Sequence, residues 1–364
     1  MTGSDTIVPR DGETVDADAL RAWMERTVPS LLPAGATLHV RQYPAGFSNL
    51  TYRLDAEGNG DARAYVLRRP PRGAKPGVAH DMGREHDILC VLQELSVPVP
   101  APLARCDDER VIGAPFYIME HVDGIILRGA KPPEIGADAA TRQERLWGLS
   151  SRFVMTLAEL HDVDVALPSL HALQRPGDYV ERQTVGWTRR WHESQTHPVP
   201  ALDEAAAWLE RHRPPARGAS LVHNDFKFDN LVLDRQDPTR ILAILDWEMA
   251  TVGDPLMDLG TSLAYWVEAK DPPIFRSLGL GVTALPGNAK RDELVGMYAA
   301  ATARDTSDML FYYVFGVFKV AVIAQQIFAR HAQGLTADPR FAMLGAVVHA
   351  LGEQAHRGIV TGEL

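Results

Sequence analysis

The chain has 364 residues, 46% of them hydrophobic, and a formal net charge of −10 at pH 7. This length can bury one large core or two moderate ones, and the acidic balance disfavours non-specific binding of nucleic acid. The only cysteines in the sequence, Cys90 and Cys106, are too few for a disulfide scaffold. Residues 1–13 lack the apolar region of a signal peptide, so we expect a cytoplasmic location.

The first third of the chain predicts a small sheet with few helices. Asp16 or Asp18 is the predicted cap of a helix over residues 16–31. β-prone stretches then lead to a second helix, over residues 78–95, and to two further strands. Gly58-Asn59-Gly60 is typical of a hairpin turn. We expect an N-terminal extension over residues 1–35 and a sheet domain over residues 36–122. The predicted strands include residues 37–43, 49–56, 62–69 and 115–122.

From Gly124 onward long helical patterns dominate, so residues 123–364 are predicted to form a mainly helical domain. The fold class is therefore α+β and bilobal, with a ligand cleft expected where two such lobes meet. Phe311–Phe328 resembles a membrane span, but Lys319 interrupts it, and we expect a buried helix and no membrane. The predicted helices cover residues 140–163, 176–193, 201–212, 255–269, 290–302, 306–330 and 340–356.

The strongest functional signal is the sequence H-x-D-x-x-x-x-N over His223–Asn230, followed later by Asp246. The apolar stretches 231–234 and 241–245 flank a polar run and predict a hairpin that turns near Pro238. Such a hairpin would bring Asn230 and Asp246 opposite each other.

One carboxylate that accepts a hydroxyl proton, with two oxygen ligands for magnesium, is the minimal equipment for phosphoryl transfer from a nucleotide. Asp225 is the predicted catalytic base, although an Asp that caps a turn is the commonest alternative in a loop. Asn230 and Asp246 are predicted Mg²⁺ ligands. A turn Asn and a strand-end Asp are the alternatives.

Two further residues of the loop have open interpretations. His223 is either a catalytic acid or base or, as we favour, an imidazole that packs beside Trp247 and braces the loop. Lys227 either contacts the transferred phosphate or lies on the surface.

The sheet domain offers candidates for binding a nucleotide. Strand alternation places Val66 and Arg68 on one face, where Val66 would cover an adenine and Arg68 would reach the phosphates. Glu85 is the expected ion-pair partner of Arg68; solvated side chains are the alternative. Backbone N–H groups of the turn that contains Ser48 and Asn49 are expected to contact phosphates.

A helical stripe of Arg and Trp residues is the candidate wall for an anionic acceptor with an apolar body. Trp side chains that pack inward are an equally valid interpretation of this pattern. The stripe consists of Arg182, Gln183, Trp187, Arg190 and Trp191. Asp254-Pro255 predicts a helix start, and Asp258 is expected to brace the catalytic loop. A P-loop, an H-E-x-x-H site and a G-x-S-x-G elbow are absent from the sequence.

With these motifs the chain resembles the aminoglycoside phosphotransferase and choline kinase group of small-molecule kinases, from about residue 38 to 350. The motifs that carry the resemblance are His223-Asn224-Asp225…Asn230 and Ile244-Leu245-Asp246-Trp247-Glu248…Gly253-Asp254-Pro255…Asp258-Leu259. The resemblance implies a protein-kinase-like fold, ATP and Mg²⁺ as cofactors, and the roles given above for Asp225, Asn230 and Asp246. It also implies that backbone groups of Glu120 and Val122 bind adenine. Glu248 is a further candidate for contact with the acceptor.

A narrower similarity is to the branch of this group that is associated with acyl-CoA dehydrogenases, which implies a hydroxyacyl-CoA or related alcohol as acceptor. Two positions depart from the group: Asn224 replaces the usual Gly, and Arg68 replaces the usual Lys. Asn tolerates the left-handed conformation better than most residues. The Arg guanidinium is planar and carries several N–H donors, whereas the Lys ammonium is a compact point charge.

The expected function is thus ATP- and Mg²⁺-dependent phosphorylation of a hydroxyl on a small metabolite, with a functional link to an acyl-CoA dehydrogenase. Two alternatives remain. The chain could be a catalytically silent nucleotide-binding scaffold, or a metal-dependent phosphoesterase that uses Asp225, Asp229 and Asp246 as ligands. The sequence does not predict the oligomeric state.

Overall fold

A computed structural model describes residues 6–44, 49–71, 80–128, 135–136, 138–278, 281–335 and 339–364. The chain divides into two compact units. The first comprises Met1–Asp123 and Leu242–Met249, and the second comprises Gly124–Ile241 and Ala250–Leu364. Residues Leu242–Met249, which carry Asp246, thus group with the first unit, whereas the sequence placed them in the helical domain.

The first unit is built on a five-stranded antiparallel sheet with the strand order β1-β2-β3-β5-β4. Its strands are β1 (Thr37–Gln42), β2 (Leu50–Gly58), β3 (Asp61–Arg69), β4 (Pro102–Cys106) and β5 (Phe116–Glu120), and its helices are α1 (Ala17–Thr27) and α2 (Met82–Glu94).

Local sequence explains how these elements start and turn. Asp16 caps α1 by accepting a hydrogen bond from the Ala19 backbone N–H at 2.9 Å. Gly58 pairs with Asp61, so the turn between β2 and β3 contains two residues, Asn59 and Gly60, whose φ angles are 48° and 81°. Positive φ at both positions is what a type I′ hairpin turn requires.

The core of the first unit includes α1. Leu20, Trp23 and Met24 of α1 are buried in one cluster with side chains from the sheet, such as Leu54 and Phe116. The segment that the sequence separated as an N-terminal extension therefore contributes to the same hydrophobic core as the sheet.

The second unit is mainly helical, with short strands that support the loops. Its helices are α3 (Ala139–His161), α4 (Tyr179–Ser194), α5 (Pro200–Arg211), α6 (Pro255–Tyr265), α7 (Arg291–Thr302), α8 (Met309–Ala332) and α9 (Leu344–Thr361). Its β6 (Ser220–Val222) pairs with β9 (Thr251–Gly253). Strands β7 (Leu231–Leu233) and β8 (Ile241–Ile244) form the predicted hairpin. The pairing of β6 with β9 was not predicted.

Several predicted helix ends differ from the structure; helix α1, for example, ends at Thr27 rather than at residue 31. Helix α6 ends at Tyr265 rather than near residue 269, because Trp266 leaves the helical region and donates its indole N–H to the Ala289 carbonyl at 2.9 Å. Helix α9 begins at Leu344, after a short 3-10 segment over Pro339–Met343.

Helix α8 is the helix of the described residues that is long and apolar enough to cross a membrane, and 78% of its most apolar window is buried inside the structure. It packs on α6 at two glycines. A Cβ on Gly260 would lie 2.1 Å from the Tyr312 carbonyl, and one on Gly316 would lie 2.2 Å from the Gly260 carbonyl. Only glycine permits this approach, which holds α8 close to the helix that carries Asp258.

Candidate active site

The loop from His223 to Asn230 connects β6 to β7 in the second unit and holds the Asp225 carboxylate from two sides. Lys227 Nζ donates to both carboxylate oxygens, at 2.9 and 2.8 Å. Asn230 Nδ2 donates to the Asp225 carboxylate at 2.9 Å and to its backbone carbonyl at 2.9 Å. The side chain of Asp225 is 14% exposed, so the loop presents one carboxylate in a fixed orientation with limited contact to water.

Lys227 does not lie on the surface as the alternative interpretation had it; its side chain is mostly buried and contacts the Asp225 carboxylate. Its ammonium lies 4.5 Å from the centre of the Tyr265 ring, over the face of that ring. Burial alone would lower the pKa of Lys227, but the carboxylate of Asp225 raises it above its ordinary value. Lys227 therefore carries a positive charge beside the candidate base. Its predicted contact with phosphate stays a prediction.

Asp258, in the first turn of α6, braces the start of the loop as expected. Its carboxylate accepts hydrogen bonds from the backbone N–H groups of His223 at 2.6 Å and Asn224 at 2.7 Å. Although burial raises the pKa of Asp258, the hydrogen bond from His161 lowers it below its ordinary value. An ionised carboxylate at the base of the loop fixes two consecutive peptide groups. Asp254 caps α6 through the Leu256 N–H.

Asn224 adopts the left-handed conformation, with φ at 66°. This conformation explains why Asn is tolerated at a position where the aminoglycoside phosphotransferase and choline kinase group usually has Gly. Its side-chain carbonyl accepts a hydrogen bond from the Tyr179 hydroxyl at 3.0 Å, which Gly could not provide. Asn224 is thus anchored through both its backbone and its side chain.

His223 is completely buried, and its Nδ1 accepts a hydrogen bond from the Asp225 backbone N–H at 3.2 Å. Its ring also meets the ring of Phe226 edge-on. These contacts agree with the bracing role, and a role as catalytic acid or base has no support from them.

In the first unit, the guanidinium of Arg68 lies close to three carboxylates. Arg68 lies 3.1 Å from Glu85, 3.0 Å from Asp246 and 3.6 Å from Glu248. Burial would lower the pKa of Arg68, but Glu85 and Asp246 raise it well above its ordinary value. The predicted pair of Arg68 with Glu85 is therefore present, and the planar Arg guanidinium contacts several carboxylates where a Lys would offer a single compact charge.

Two buried polar atoms of this cluster, Arg68 Nε and Glu85 Oε2, have no hydrogen-bond partner within the described ranges. Because buried polar groups are normally paired, a polar ligand or ordered water is expected there. Val66, on the same strand, is buried and pairs with Met119 of β5. Whether Val66 and Arg68 contact a nucleotide stays a prediction.

Asp246 follows β8 with φ at 68°, a strained conformation for a residue with a side chain. Its side chain remains 32% exposed. Such backbone outliers cluster at functional sites, which is consistent with a carboxylate that is held for a ligand.

The donor types at the predicted metal ligands suit Mg²⁺. Asn230 uses its amide nitrogen on Asp225, so its carbonyl oxygen is the atom that suits a cation, and Asp246 offers a carboxylate. In the part of the chain that the structure describes, no group of three or more His, Cys, Asp or Glu could hold a metal ion. Few protein ligands, with phosphate and water oxygens completing the shell, are typical of Mg²⁺ bound with a nucleotide.

The structure describes the surroundings of some, but not all, of the other residues that are predicted to contact a nucleotide. Asn49 is buried, donates to Glu248 at 2.9 Å and shares a hydrogen bond with His80 at 2.9 Å, whereas Ser48 lies outside the described residues. The Glu120 backbone N–H already donates to the Ala101 carbonyl at 2.9 Å, so its carbonyl is the group suited to adenine. Val122 follows β5 in an irregular segment.

The stripe of Arg and Trp residues lies on α4, and both of its Trp side chains are buried. Trp191 is completely buried and donates to Asp203 at 2.7 Å, and Trp187 is buried and bonds to Gln183. The inward-packing interpretation is correct for both Trp side chains.

The arginines of the stripe also differ. Arg182 donates to the carbonyls of Pro176 and Gly177. Arg190 stacks over the Trp187 ring, 4.6 Å from its centre, and is the member of the stripe best suited to an anionic ligand.

Sequence reasoning missed several residues that contact the loop, among them Tyr179, Tyr265 and Lys319. Tyr179 binds the side chain of Asn224, and Lys319 of α8 donates to the Asn224 carbonyl at 2.6 Å. The sequence does show Lys319 as a charged residue within an apolar helix. That observation was used only to argue against a membrane span and not to predict a contact with the loop.

A cavity beside Lys227 was also not predicted. It has a volume of about 20 Å³ and is lined by residues that include Phe153, Asp229, Ser262 and Trp266.

Comparison with known proteins agrees with this geometry. Residues 39–294 match the model of the phosphotransferase enzyme family. Acyl-CoA dehydrogenase family member 11 of Gallus gallus is 36% identical over 88% of the chain and 40% of that protein. Acyl-CoA dehydrogenase family member 10 of Mus musculus is 32% identical over 91% of the chain and 30% of that protein. The chain thus spans less than half the length of these relatives.

Solved structures show the same fold. A putative aminoglycoside phosphotransferase of Ralstonia eutropha superposes with a TM-score of 0.75 and 32% identity, over 94% of this chain and 98% of that one. Choline kinase of Cryptosporidium parvum, 12% identical, superposes with a TM-score of 0.65 over 95% of this chain and 97% of that one. The bilobal, kinase-like α+β fold is therefore confirmed. The chain belongs to the phosphotransferase enzyme family and has the fold of its small-molecule kinases.

Proposed function

We propose that the chain transfers the γ-phosphoryl group of ATP to a hydroxyl of a small metabolite in a Mg²⁺-dependent reaction. Asp225 is the base, Asn230 and Asp246 are the Mg²⁺ ligands, and Arg68 contacts the nucleotide phosphates. The orientation of Asp225 by both Lys227 and Asn230 is the observation that carries the proposal. A cytoplasmic location is part of the same proposal.

The residues of the loop have separate tasks. Asp225 orients the acceptor hydroxyl and takes its proton as the oxygen attacks the γ-phosphorus. Lys227 holds the two oxygens of the Asp225 carboxylate and places a positive charge beside them. Mg²⁺, when bound, neutralises charge on the phosphate oxygens.

For the acceptor we propose a hydroxyacyl-CoA or a related alcohol. The support is the name of the relatives, acyl-CoA dehydrogenase family members, to which the chain is 30–36% identical. Arg190, stacked on Trp187, suits an anionic acceptor with an apolar body. We also propose a functional link to an acyl-CoA dehydrogenase, supported by the names of the same relatives.

The test is a screen of hydroxyacyl-CoA esters, amino alcohols and aminoglycosides for ADP formation that requires both Mg²⁺ and the acceptor. The proposal predicts stoichiometric ADP and phosphorylated acceptor with at least one hydroxyacyl-CoA. Stimulation by an aminoglycoside alone would keep the kinase reaction but reject the acceptor.

Release of free phosphate without any acceptor, retained in Asn230→Asp, would indicate a phosphoesterase instead. Nucleotide binding with neither ADP nor phosphate formed would indicate a scaffold.

A further inference from the structure

Lys319 is a buried cation whose role the proposed mechanism does not yet include. It lies in the middle of α8, and its side chain is 1% exposed. Burying a charge costs several kcal/mol unless it is paired and hydrogen-bonded. No carboxylate of the described residues forms an ion pair with it, and its Nζ donates to the backbone carbonyl of Asn224 at 2.6 Å. A methionine would fill the same space without this cost, so the position calls for another explanation.

The carbonyl that Lys319 holds belongs to the peptide group that leads into Asp225. The N–H of this same peptide, that of Asp225, donates to His223 Nδ1 at 3.2 Å. The preceding peptide is held by Asp258 through the Asn224 N–H. With Lys319 in place, both sides of the peptide plane before the base are hydrogen-bonded, and the left-handed φ of Asn224 is maintained.

Charged groups from several elements act on the Lys319 ammonium. Burial, with smaller contributions from Lys227 and Arg190, lowers the pKa of Lys319 to about 8, against the opposing effect of Asp225 on the loop and Asp258 on α6. The Trp187 ring of α4 lies 5.7 Å from the ammonium. Lys319 thus sits among the charges that surround the base, although it is distant from them in sequence.

We propose that Lys319 is a positioning residue for phosphoryl transfer, whose buried ammonium fixes the peptide plane from which Asp225 projects by holding the Asn224 carbonyl. This inference rests on the proposed role of Asp225 as the base. A misplacement of a reacting group by about 1 Å can cost about 100-fold in rate, so one hydrogen bond at this position has a large effect on kcat.

The test compares Lys319→Met, Lys319→Arg and the control Gln325→Met. Gln325 is a matched control because it lies on the same helix, is buried, and donates to a backbone carbonyl, that of Ser194, at 2.7 Å, away from the loop. The readouts are ADP formation from ATP that requires both Mg²⁺ and a hydroxyacyl-CoA acceptor, the dissociation constant of ADP, and thermal unfolding.

We expect Lys319→Met to lower kcat about 10- to 100-fold with the dissociation constant of ADP unchanged, and Lys319→Arg to retain more activity than Lys319→Met. Gln325→Met should keep the wild-type kcat even if it unfolds at a lower temperature. Equal kcat for Lys319→Met and wild type would overturn the inference.

The pH profile tests the inference even if Lys319→Met does not fold. Wild-type kcat should fall above about pH 8, as the ammonium loses its proton, while Lys319→Arg keeps its rate up to higher pH. A flat wild-type profile between pH 7 and 9.5 would contradict the inference. If Asp225→Ala retained full turnover, the proposed function itself would fail, which is distinguishable from any outcome at Lys319.

Discussion

Lys227 Nζ lies 2.8–2.9 Å from both carboxylate oxygens of Asp225, a residue only two positions away. The ammonium holds the base in place and offsets its charge, and it also lies over the Tyr265 ring, 4.5 Å from the ring centre. The loop therefore contains its own counter-ion for the candidate base.

Replacing Lys227 by Met should lower kcat by about 10- to 100-fold, because Asp225 loses the contact that orients both of its oxygens. The dissociation constant of ADP should stay within about twofold if Lys227 acts only on Asp225. Steady-state kinetics and ADP titration separate the two effects. A large rise in the dissociation constant with unchanged kcat would instead indicate that Lys227 contacts the nucleotide.

Arg68→Met should destabilise the protein by about 3–5 kcal/mol, because it leaves the buried carboxylate of Glu85 without its partner. The matched control is Arg53→Met, whose ion pair with Asp55 is partly exposed and should contribute less than about 1 kcal/mol. Urea unfolding of both variants measures the difference. Equal losses in free energy of unfolding would contradict the account of a buried pair.

Asn224→Gly should remain folded and active, because Gly adopts positive φ freely, although it loses the hydrogen bond from Tyr179. Asn224→Val should be destabilised by about 1–3 kcal/mol, since a β-branched residue is strained at φ of 66°. Thermal unfolding and turnover of the two variants provide the comparison. Better tolerance of Val than of Gly would show that the left-handed conformation is not needed.

Lys319 should make stability and activity respond to pH in opposite directions. The pKa of Lys319 is lowered to about 8 in the folded chain, below the value of about 10.4 for an exposed Lys, so the unfolded chain binds more protons between these values. The free energy of unfolding of wild type relative to Lys319→Met should therefore rise from pH 8 to pH 10.

Wild-type kcat should fall over the same range. Parallel loss of both quantities would point to general alkaline damage rather than titration of Lys319.

Much of the chemistry could be read from short-range patterns. Asp225, Asn230 and the two strands of the hairpin lie close together in sequence, so their arrangement could be predicted from local patterns. The predicted hairpin is present. The pairing of Arg68 with Glu85 followed from strand alternation and the next helix.

What the sequence did not show depends on contacts between distant segments. The hydrogen bond from Lys319 to Asn224 joins residues separated by 95 positions. Strands β6 and β9 each contain only three residues, too few for a periodic pattern. Leu242–Met249 groups with the sheet unit through contacts that include those with α2, which no local pattern encodes.

The most direct test of the central claim is single-turnover transfer of the γ-phosphoryl group from ATP by Asp225→Asn, with Asp237→Asn in the exposed hairpin turn as control. We predict that Asp225→Asn lowers the rate by about 1,000-fold or more while ADP binds with unchanged affinity, and that Asp237→Asn matches wild type. Transfer by Asp225→Asn at the wild-type rate would contradict the assignment of Asp225 as the base.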